Sequence, residues 1–521
     1  MLLNDLVETS RRVGEVSSRL AKIEQLAGGL RRAGPDEVDV AVSWLSGDLR
    51  QGRIGIGQAA LREAMAEAAA PTASLALAEV DAALDRLQQV RGAGSTAERV
   101  RQLRALFGRA TRDEQAFLVR LMVGELRQGA LEGLMVEAVA RAAEIPVADV
   151  RRAVMLTGTL GPVARAAFAD GKAGLAPFAV ELFRPLRPML AQTADDVTDA
   201  LARLPQAGFE YKLDGARVQV HKSGGDVRIF TRELNDVTGA APEIVEAIGA
   251  LPLSSIILDG EAIALRADGM PQPFQITMRR FGRKLDVAAM RETLPLSVYF
   301  FDCLYLDGSP TIDRGQDERF AALAASLPQA LVIHRLVTSE VDAAHAFVEA
   351  ALERGHEGVM AKALDAPYQA GARGAGWLKI KRAHTLDLVV LAAEWGHGRR
   401  RGWLSNLHLG ARDPATGGFV MLGKTFKGMT DAMLTWQTQR LQELAVARDD
   451  YAVHVRPELV VEIAFNDIQE SPHYPGGLAL RFARVKRYRP DKRPDEADSI
   501  ETVRALYRRQ AGEKDATAAV P

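Results

Sequence analysis

Cysteine is almost absent from this chain of 521 residues, which contains Cys303 alone. A single thiol excludes an intramolecular disulfide, a cysteine-based zinc site and a redox pair. Because Cys303 lies in an apolar run, we expect it to be a packed core residue and not a nucleophile. Any chemistry of this chain must therefore be carried by other side chains.

Long apolar runs are missing as well. No window stays apolar and uncharged for long enough to span a bilayer. The N-terminal segment carries Asp5, Glu8, Arg11 and Arg12 and has no apolar stretch typical of a secretory signal. We therefore expect a cytoplasmic protein that does not act at a membrane.

A strong net charge is also lacking, since the formal charge is -1. With 47% apolar and 26% charged residues, the composition is typical of a globular protein, and the charge alone does not indicate a nucleic-acid binder. Basic residues do cluster at 399–401 and 481–493. Each run taken alone is the pattern of a solvated face, but such runs can also form a local basic surface.

The length predicts two to four domains, because one hydrophobic core rarely serves so long a chain. Residues 1–182 are rich in Ala, Leu, Arg and Glu, and poor in strand formers. Thr111 can cap a helix in which Phe117, Leu121 and Met122 recur at helical spacing. We predict an all-helical N-terminal domain over residues 1–182.

After a proline-containing linker at 183–188 the pattern changes to short strands mixed with helices. Alternation on both sides of Ser223-Gly224-Gly225 predicts a β-hairpin. Further strands are predicted near 256–258, 296–301, 331–333 and 358–360, and helices near 241–248 and 342–354. We predict an α+β domain over residues 187–383.

From residue 386 short strands again alternate with glycine-rich turns, and one helix is predicted near 431–447. This pattern favours a small β-barrel over residues 386–505, with an OB-type fold as the leading interpretation. We predict that the tail, residues 506–521, is disordered.

The most informative stretch is Glu210-Tyr211-Lys212-Leu213-Asp214-Gly215, with Arg217 just after it. A lone Lys-x-Asp-Gly pattern recurs by chance. Here, however, further segments that suit a nucleotide-transferring lysine follow in order: Thr231-Arg232, Leu258-Asp259-Gly260-Glu261, Phe301-Asp302, Glu357 to Lys362, and Trp377 to Lys381. The ordered set predicts that a lysine amine accepts a nucleotide monophosphate and passes it on.

A nucleophilic lysine must be neutral, although its ordinary pKa is about 10.4. Lys379 and Lys381 share one face if they lie on a strand. If that face meets Lys212, the two cations would lower the pKa of Lys212 and bind a triphosphate. Taken singly, each lysine fits an exposed position on an edge strand better.

The other candidates have the same two interpretations. Glu261 and Glu357 lie beside glycines at strand ends, where they could bind sugar hydroxyls or Mg²⁺, or could simply be exposed at turns. Phe301 could stack on a purine or pack in the core. Arg217 and Arg232 suit phosphate because guanidinium binds it in a bidentate manner, yet both could be surface residues.

The ordered motifs resemble those of ATP-dependent DNA ligases of the covalent nucleotidyltransferase superfamily, especially the three-domain type with a helical DNA-binding domain ahead of the core. The similarity extends over most of the chain. It includes Pro188-Met189-Leu190-Ala191, Pro273-Phe274-Gln275 and Arg481-Phe482-Ala483-Arg484. Ala483 stands where many relatives have proline, and the absence of a cysteine zinc site disfavours the NAD-dependent class.

The resemblance implies a role for each matching residue. Lys212 would form lysyl-AMP, Glu210 would lie by the adenine amino group, and Phe301 would stack on adenine. Arg217 and Arg232 would contact AMP or phosphate, Glu261 would bind the ribose, and Glu261 and Glu357 would serve the metal. The phosphate path would contain Lys362, Arg373, Lys379 and Lys381, while Arg481, Arg484 and Lys486 of the barrel would orient pyrophosphate or meet DNA.

The implied reaction seals a nick in duplex DNA with ATP and Mg²⁺ in three nucleotidyl transfers. The implied partner is nicked double-stranded DNA, encircled by a monomer. Two alternatives stay open at this point. One is an RNA ligase or a GTP-dependent capping-type enzyme with the same core, which the long helical region disfavours. The other is a non-catalytic duplex-binding protein, which the set of charged motif residues disfavours.

Overall fold

The computed structural model describes residues 1–52, 54–126, 132–282, 286–370, 376–381 and 384–511. The first part is helical, as predicted. Its helices are α1 Leu3–Glu15, α2 Arg19–Leu30, α3 Val38–Ser46, α4 Gln58–Met65, α5 Leu77–Gln89, α6 Ser95–Phe107, α7 Arg112–Met122, α8 Glu132–Ala142, α9 Val147–Thr157 and α10 Leu160–Asp170.

Apolar stripes of these helices form one continuous core, in which Trp44, Phe107 and Phe117 are fully buried. The capping role predicted for Thr111 is confirmed, because its hydroxyl accepts from the Glu114 N–H while the Glu114 carboxylate accepts from the Thr111 N–H. Within the described residues, no helix combines the length and the apolar character that crossing a membrane requires.

The linker packs against the middle of the chain through backbone contacts. The Phe183 N–H donates to His221 Nδ1, and Leu186 exchanges two hydrogen bonds with the side chain of Gln219. Arg152 of α9 also donates two hydrogen bonds, of 2.5 and 2.7 Å, to Asp313. The helical part is therefore attached to the middle part both through the linker and through direct side-chain contacts.

Two five-stranded sheets form the frame of the middle part. The elements are β1 Gln192–Thr193, α11 Val197–Arg203, β2 Ala207–Lys212, β3 Ala216–Ser223, β4 Asp226–Thr231, α12 Pro242–Gly249, β5 Ser255–Ala264, α13 Phe274–Arg279, α14 Val287–Thr293, β6 Leu296–Leu306, β7 Ser309–Pro310, α15 Gln316–Ser326, β8 Arg335–Thr338, α16 Val341–Glu353, β9 Gly358–Ala363 and β10 Trp377–Lys381. The first sheet has the strand order β1-β10-β9-β2-β8, and the second has β4-β3-β5-β6-β7.

Each sheet has its own core. Phe209 and Tyr211 of β2 alternate with Glu210 and Lys212, so the aromatic rings pack toward α11 and α16 while the charged residues lie on the opposite face. The second sheet buries valines and isoleucines against α12 and α15. The charged face of the first sheet is therefore available for a site.

The third part is rich in strands, and its elements are β11 His384–Trp395, β12 Leu404–Arg412, β13 Phe419–Thr425, α17 Asp431–Glu443, β14 Ala445–Arg448, β15 Ala452–Val455, β16 Val460–Phe465, β17 Asp467–Glu470, β18 Leu478–Arg481, β19 Arg484–Tyr488 and α18 Ile500–Ala511. The long strand β11 pairs with β12, β15 and β16, and bulges interrupt its register with β12. Strands β17 and β18 form a separate two-stranded ribbon.

Two predictions about local structure are wrong. The strand predicted at 331–333 is displaced, since residues Gln329–Leu331 form a 3-10 turn and β8 follows at Arg335–Thr338. The tail predicted to be disordered from residue 506 begins inside α18, because Ile500, Val503 and Leu506 recur at helical spacing and pack on the core of the third part. Residues 512–521 lie outside the described residues.

Candidate active site

Lys212 is the last residue of β2, where the chain turns into β3. The turn requires a glycine at position 215, because a Cβ there would lie 2.3 Å from the Ala262 carbonyl oxygen. Only residues 213–215 join β2 to β3. The Lys212 side chain remains 21% exposed at this edge.

The nearest partner of Lys212 is a carboxylate. Its ammonium forms an ion pair with Glu357, which lies immediately before β9. Lys381 Nζ donates to the other oxygen of Glu357 at 2.7 Å. One carboxylate therefore lies between two lysines.

The expectation that cations lower the pKa of Lys212 is wrong for this structure. Burial does disfavour its charged form, but the Glu357 carboxylate outweighs burial and raises the pKa of Lys212 above its ordinary value. The same two lysines hold the pKa of Glu357 below its ordinary value, against the effect of burial.

The predicted sharing of a face by the lysines is confirmed by the strand register. Lys379 pairs with Met360, which also pairs with Glu210, and Lys381 and Lys212 both pair with Gly358. Residues directly opposite each other project from the same side of a sheet. Lys212, Lys379 and Lys381 thus lie on one face, together with Glu210.

A second glutamate–lysine pair lies two residues back along β2. Lys362 Nζ is 2.6 Å from Glu210 Oε2, and the two side chains are only 1% and 2% exposed. The ammonium also donates to the Phe301 carbonyl oxygen at 3.1 Å and lies 4.6 Å from the centroid of the Phe301 ring. Lys362 is therefore placed at the Glu210 end of the face and not beside Lys212.

Arg217 of β3 is fixed by a buried acid. Its guanidinium donates to both oxygens of Asp259, at 3.0 and 2.6 Å, and to the Met189 carbonyl oxygen at 2.7 Å. The Tyr368 hydroxyl donates to the same Asp259 at 2.7 Å. The guanidinium also lies 5.5 Å from the centroid of the Phe301 ring. This places Arg217 and Lys362 against the same aromatic ring.

Glu261 lies opposite Arg217 in the register of β3 and β5. Burial raises the pKa of Glu261 to about 7, although the charges of Lys212 and Arg217 oppose this shift. A carboxyl group whose pKa is near neutral pH and whose charge interacts with that of Lys212 can accept from hydroxyls or bind a cation.

The third part of the chain also reaches this site. Arg481 Nη1 of the β17–β18 ribbon lies 3.8 Å from Asp214 and 3.4 Å from Asp467 of the same ribbon. Gln275 of α13 donates to Gln469 at 3.0 Å. The ribbon thus covers the turn that follows Lys212.

Three carboxylates lie close together where the ribbon contacts the turn after Lys212. Oxygens of Asp214, Glu357 and Asp467 all lie within 4.8 Å of one another. Burial raises the pKa of Asp214 to about 6, and the neighbouring Glu357 and Asp467 charges add to that rise. Of the two predicted metal ligands, Glu357 belongs to this cluster and Glu261 does not.

Some predicted residues are not brought to Lys212. Arg232 is exposed just beyond β4, while Arg484 and Lys486 lie on β19, where Lys486 is exposed. The contacts of the described residues do not join any of these three to Lys212. Arg373 lies outside the described residues.

Sequence reasoning also missed several residues of the site. Asp259 and Trp377 stand inside quoted motifs, so their proximity to Arg217 could have been suspected. Tyr368 and Asp467 carried no signal, because only the folded chain brings them to the site.

Comparison with known proteins agrees with this arrangement. Family models match the chain in order: the DNA ligase N terminus at residues 69–140, the ATP dependent DNA ligase domain at residues 188–381, and the ATP dependent DNA ligase C terminal region at residues 400–492. A probable DNA ligase of Anaeromyxobacter sp. (strain Fw109-5) is 64% identical over 99% of this chain and 100% of its own length. The chain belongs to the ATP-dependent DNA ligase family.

Other relatives are consistent with that assignment. A probable DNA ligase of Mycolicibacterium paratuberculosis is 58% identical over 97% of this chain and 98% of its own length. A solved structure named Pmar-Lig_Pre has a similar fold, with a TM-score of 0.61 and 19% identity over 93% of this chain and 99% of its own.

The chain is therefore an ATP-dependent ligase that acts on DNA. Enzymes of this family join strands through a lysyl-AMP intermediate. This membership decides against the RNA ligase, capping-type and non-catalytic alternatives.

Proposed function

We propose that Lys212 is the lysine that carries AMP, and that the enzyme uses it to seal nicks in duplex DNA. The observation that carries this assignment is the position of Lys212: it ends β2 at the accessible edge of the charged face, directly before the tight turn at Gly215, whereas Lys362 on the same face is buried. Lys381 is similarly exposed on this face but lies outside the Lys-x-Asp-Gly turn. The Lys212 amine can therefore reach a phosphorus atom without unfolding the sheet.

The first transfer forms a bond between Lys212 Nζ and the α-phosphorus of ATP, and breaks the bond from that phosphorus to the pyrophosphate oxygen. The ammonium must first lose a proton. That proton goes to solvent, because Glu357 stabilises the ammonium and its own pKa is held below the ordinary value, which makes it a poor acceptor. In the second transfer the 5′-phosphate at the nick takes AMP from the lysine, and in the third the 3′-hydroxyl displaces AMP.

The residues near Lys212 fit a magnesium ion. Glu357 would hold it together with Asp214 and Asp467, whose oxygens lie within 4.8 Å of one another, since Mg²⁺ prefers oxygen ligands shared with phosphate oxygens. Glu261, the other predicted ligand, lies outside this cluster and is left to the ribose. When bound, the ion neutralises charge on the phosphates. With Glu357 engaged as a ligand, its contact with Lys212 would weaken, and the amine would lose its proton more readily.

The nucleotide then lies along the charged face. Glu210 and Phe301 would meet the adenine, Glu261 the ribose, and Arg217, Arg232 and Arg373 the phosphate of AMP or of the nick. Lys379 and Lys381 would line the phosphate path beside Lys212. Arg481 would reach the pyrophosphate, because the ribbon already places it next to Asp214.

DNA would contact all three parts of the chain. We propose three domains at 1–182, 187–383 and 386–505, the last an OB-type barrel, which together encircle nicked duplex DNA as a monomer. Arg484 and Lys486 would then meet the DNA backbone. Such phosphate contacts position a protein without reading sequence, and make binding weaken steeply with salt.

The test is labelling with α-phosphate-labelled ATP and Mg²⁺, after bound AMP has been removed with pyrophosphate. A labelled band on a denaturing gel that disappears when nicked DNA is added, with a sealed strand as product, supports the proposal. Labelling that persists in Lys212→Ala would contradict the assignment of the nucleophile.

A further inference from the structure

The contacts of Lys362 leave it little freedom. Its ammonium is wholly buried, bonded to Glu210 and to the Phe301 carbonyl oxygen, and flanked by the rings of Phe301 and Trp377 at 4.6 and 4.4 Å. A lysine has three N–H donors, and two of them are already used. Lys362 therefore influences the site through its partner, Glu210.

Glu210 is also held from its other side. Gln316, which is fully buried, donates from Nε2 to Glu210 Oε1 at 3.4 Å. Arg335 donates to Gln316 Oε1 at 2.9 Å. Because a guanidinium has no acceptor, Arg335 fixes the Gln316 oxygen toward itself and turns the amide nitrogen toward Glu210. Both oxygens of Glu210 therefore face donors.

These donors favour one protonation state of Glu210. Burial raises the pKa of Glu210, and the charges of Lys362 and Arg335 oppose that rise, while Asp302 adds to it. Asp302 is itself neutralised by Arg319, at 2.7 Å. Lys362 opposes the effect of burial more than Arg335 does, so its loss would raise the pKa of Glu210 further and move the balance toward the neutral acid.

The charge state of Glu210 decides which base it accepts. Adenine presents an amino donor at the position where guanine presents a carbonyl acceptor. An ionised carboxylate can only accept, whereas a protonated one can also donate to a carbonyl. An ionised Glu210 binds the adenine amine with its remaining lone pairs and repels guanine.

We propose that Lys362 and Gln316 are positioning residues that keep Glu210 an obligate acceptor and thereby restrict the lysine-charging step to adenine nucleotides. This inference rests on the proposed placement of Glu210 beside the adenine amino group. Neither Lys362 nor Gln316 has to touch the nucleotide.

The experiment measures single-turnover labelling of the full-length enzyme by ATP and by GTP between pH 6 and 9. For Lys362→Met we expect the ATP-over-GTP ratio of kcat/KM to fall at least about tenfold, because one pKa unit corresponds to a tenfold change in the ionised fraction. The loss should lie in KM and be largest at low pH. Lys362→Arg, which retains a cation, should restore part of the ratio.

Lys222→Met is the matched control. Lys222 is also a buried lysine, but it donates to the carbonyl oxygens of Gly249 and Leu251 in the second sheet. Its replacement should leave the ATP-over-GTP ratio unchanged. If Lys362→Met fails to fold, Gln316→Met removes a donor to Glu210 and should lower the ratio in the same direction.

Glu210→Gln distinguishes the positioning role of Lys362 and Gln316 from the placement of Glu210 beside adenine. If Glu210→Gln changes the ratio but Lys362→Met and Gln316→Met do not, the positioning inference is overturned and the role of Glu210 stands. If Glu210→Gln leaves the ratio unchanged, the placement of Glu210 at adenine fails, and the inference with it. A third outcome would be that Lys362→Met lowers kcat equally for ATP and GTP at every pH. That result would overturn the positioning inference and assign Lys362 to the phosphate path.

Discussion

Two glutamate–lysine pairs lie on the same sheet face, and β2 contributes one member to each. Glu210 and Lys362 are sealed, with side chains 2% and 1% exposed. Lys212 and Glu357 are accessible, with side chains 21% and 12% exposed. The chemistry of both pairs is the same, so their surroundings decide what each pair can do.

The difference lies in the number of competing partners. Glu357 also binds Lys381, and Lys212 also interacts with the charges of Glu261 and Asp214, so the contact between Lys212 and Glu357 can be exchanged for others. Lys362 is enclosed by a carbonyl oxygen and two rings. In the proposed reaction the Lys212–Glu357 pair, which must break, lies at the edge of the sheet, and the Lys362–Glu210 pair, which must persist, is buried.

The largest effect is expected from removing the nucleophile. Lys212→Ala should reduce lysyl-AMP formation by at least about a thousandfold, because the variant lacks the amine that is proposed to bond to phosphorus. The measurement is the amount of labelled AMP on the denatured protein.

Lys212→Arg provides a stricter version of that test. Arginine keeps the positive charge beside Glu357 but cannot act as the nucleophile. It should be as inactive as the alanine variant while its thermal stability stays close to that of the parent. Retained labelling in either variant would place the AMP elsewhere.

The pH dependence of labelling should also be large. Because Glu357 raises the pKa of Lys212, the neutral amine is scarce and increases about tenfold for each pH unit below that pKa. Labelling rates at saturating ATP should therefore rise from pH 6 to pH 9. Glu357→Gln, which removes the charge, should lower the pKa of Lys212. A profile extended to about pH 11 should then reach its midpoint at lower pH than in the parent, and an unmoved midpoint would show that Glu357 does not set it.

The two glutamate–lysine pairs should also differ in how much they contribute to the free energy of unfolding. Removing one partner of a buried ion pair costs about 3–5 kcal/mol, because the other charge is left buried and unpaired, whereas exposed pairs contribute about 0–1 kcal/mol. Lys362→Met should therefore lower the free energy of unfolding much more than Lys212→Met. Adding Glu210→Leu to Lys362→Met should recover part of the loss. Denaturant titration of the four proteins provides the comparison, and equal losses would refute it.

Sequence reasoning singled out Lys212 and predicted the shared face of the lysines because both depend on local pattern. The order of motifs identified Lys212, and strand alternation placed Lys379 and Lys381 on one side. It also predicted most strands and helices, since apolar periodicity decides them.

Contacts between segments that are distant in the chain could not be predicted from the sequence. The pairing of Lys362 with Glu210, the approach of Arg481 to Asp214 and the burial of Asp259 against Arg217 join segments that are distant in the chain. The direction of the pKa shift of Lys212 was missed for the same reason, since it depends on whether a carboxylate or an ammonium lies nearest.

The smallest effect is expected at the ribbon. Arg481→Ala should slow lysyl-AMP formation about fivefold, because partly exposed ion pairs of this kind contribute about 1 kcal/mol or less. Arg487→Ala, on β19 and paired with Glu462, is the control that should leave the rate unchanged. Equal rates for both variants would show that the ribbon does not assist the first transfer.

Peptide mapping of the AMP-charged enzyme by mass spectrometry tests the comparison between the two pairs most directly. After charging with ATP and Mg²⁺ and digestion under mild conditions, we expect AMP on the peptide that contains Lys212 and none on the peptide that contains Lys362. AMP on Lys362, or on any other lysine in place of Lys212, would contradict the assignment of the accessible pair to chemistry and the sealed pair to positioning.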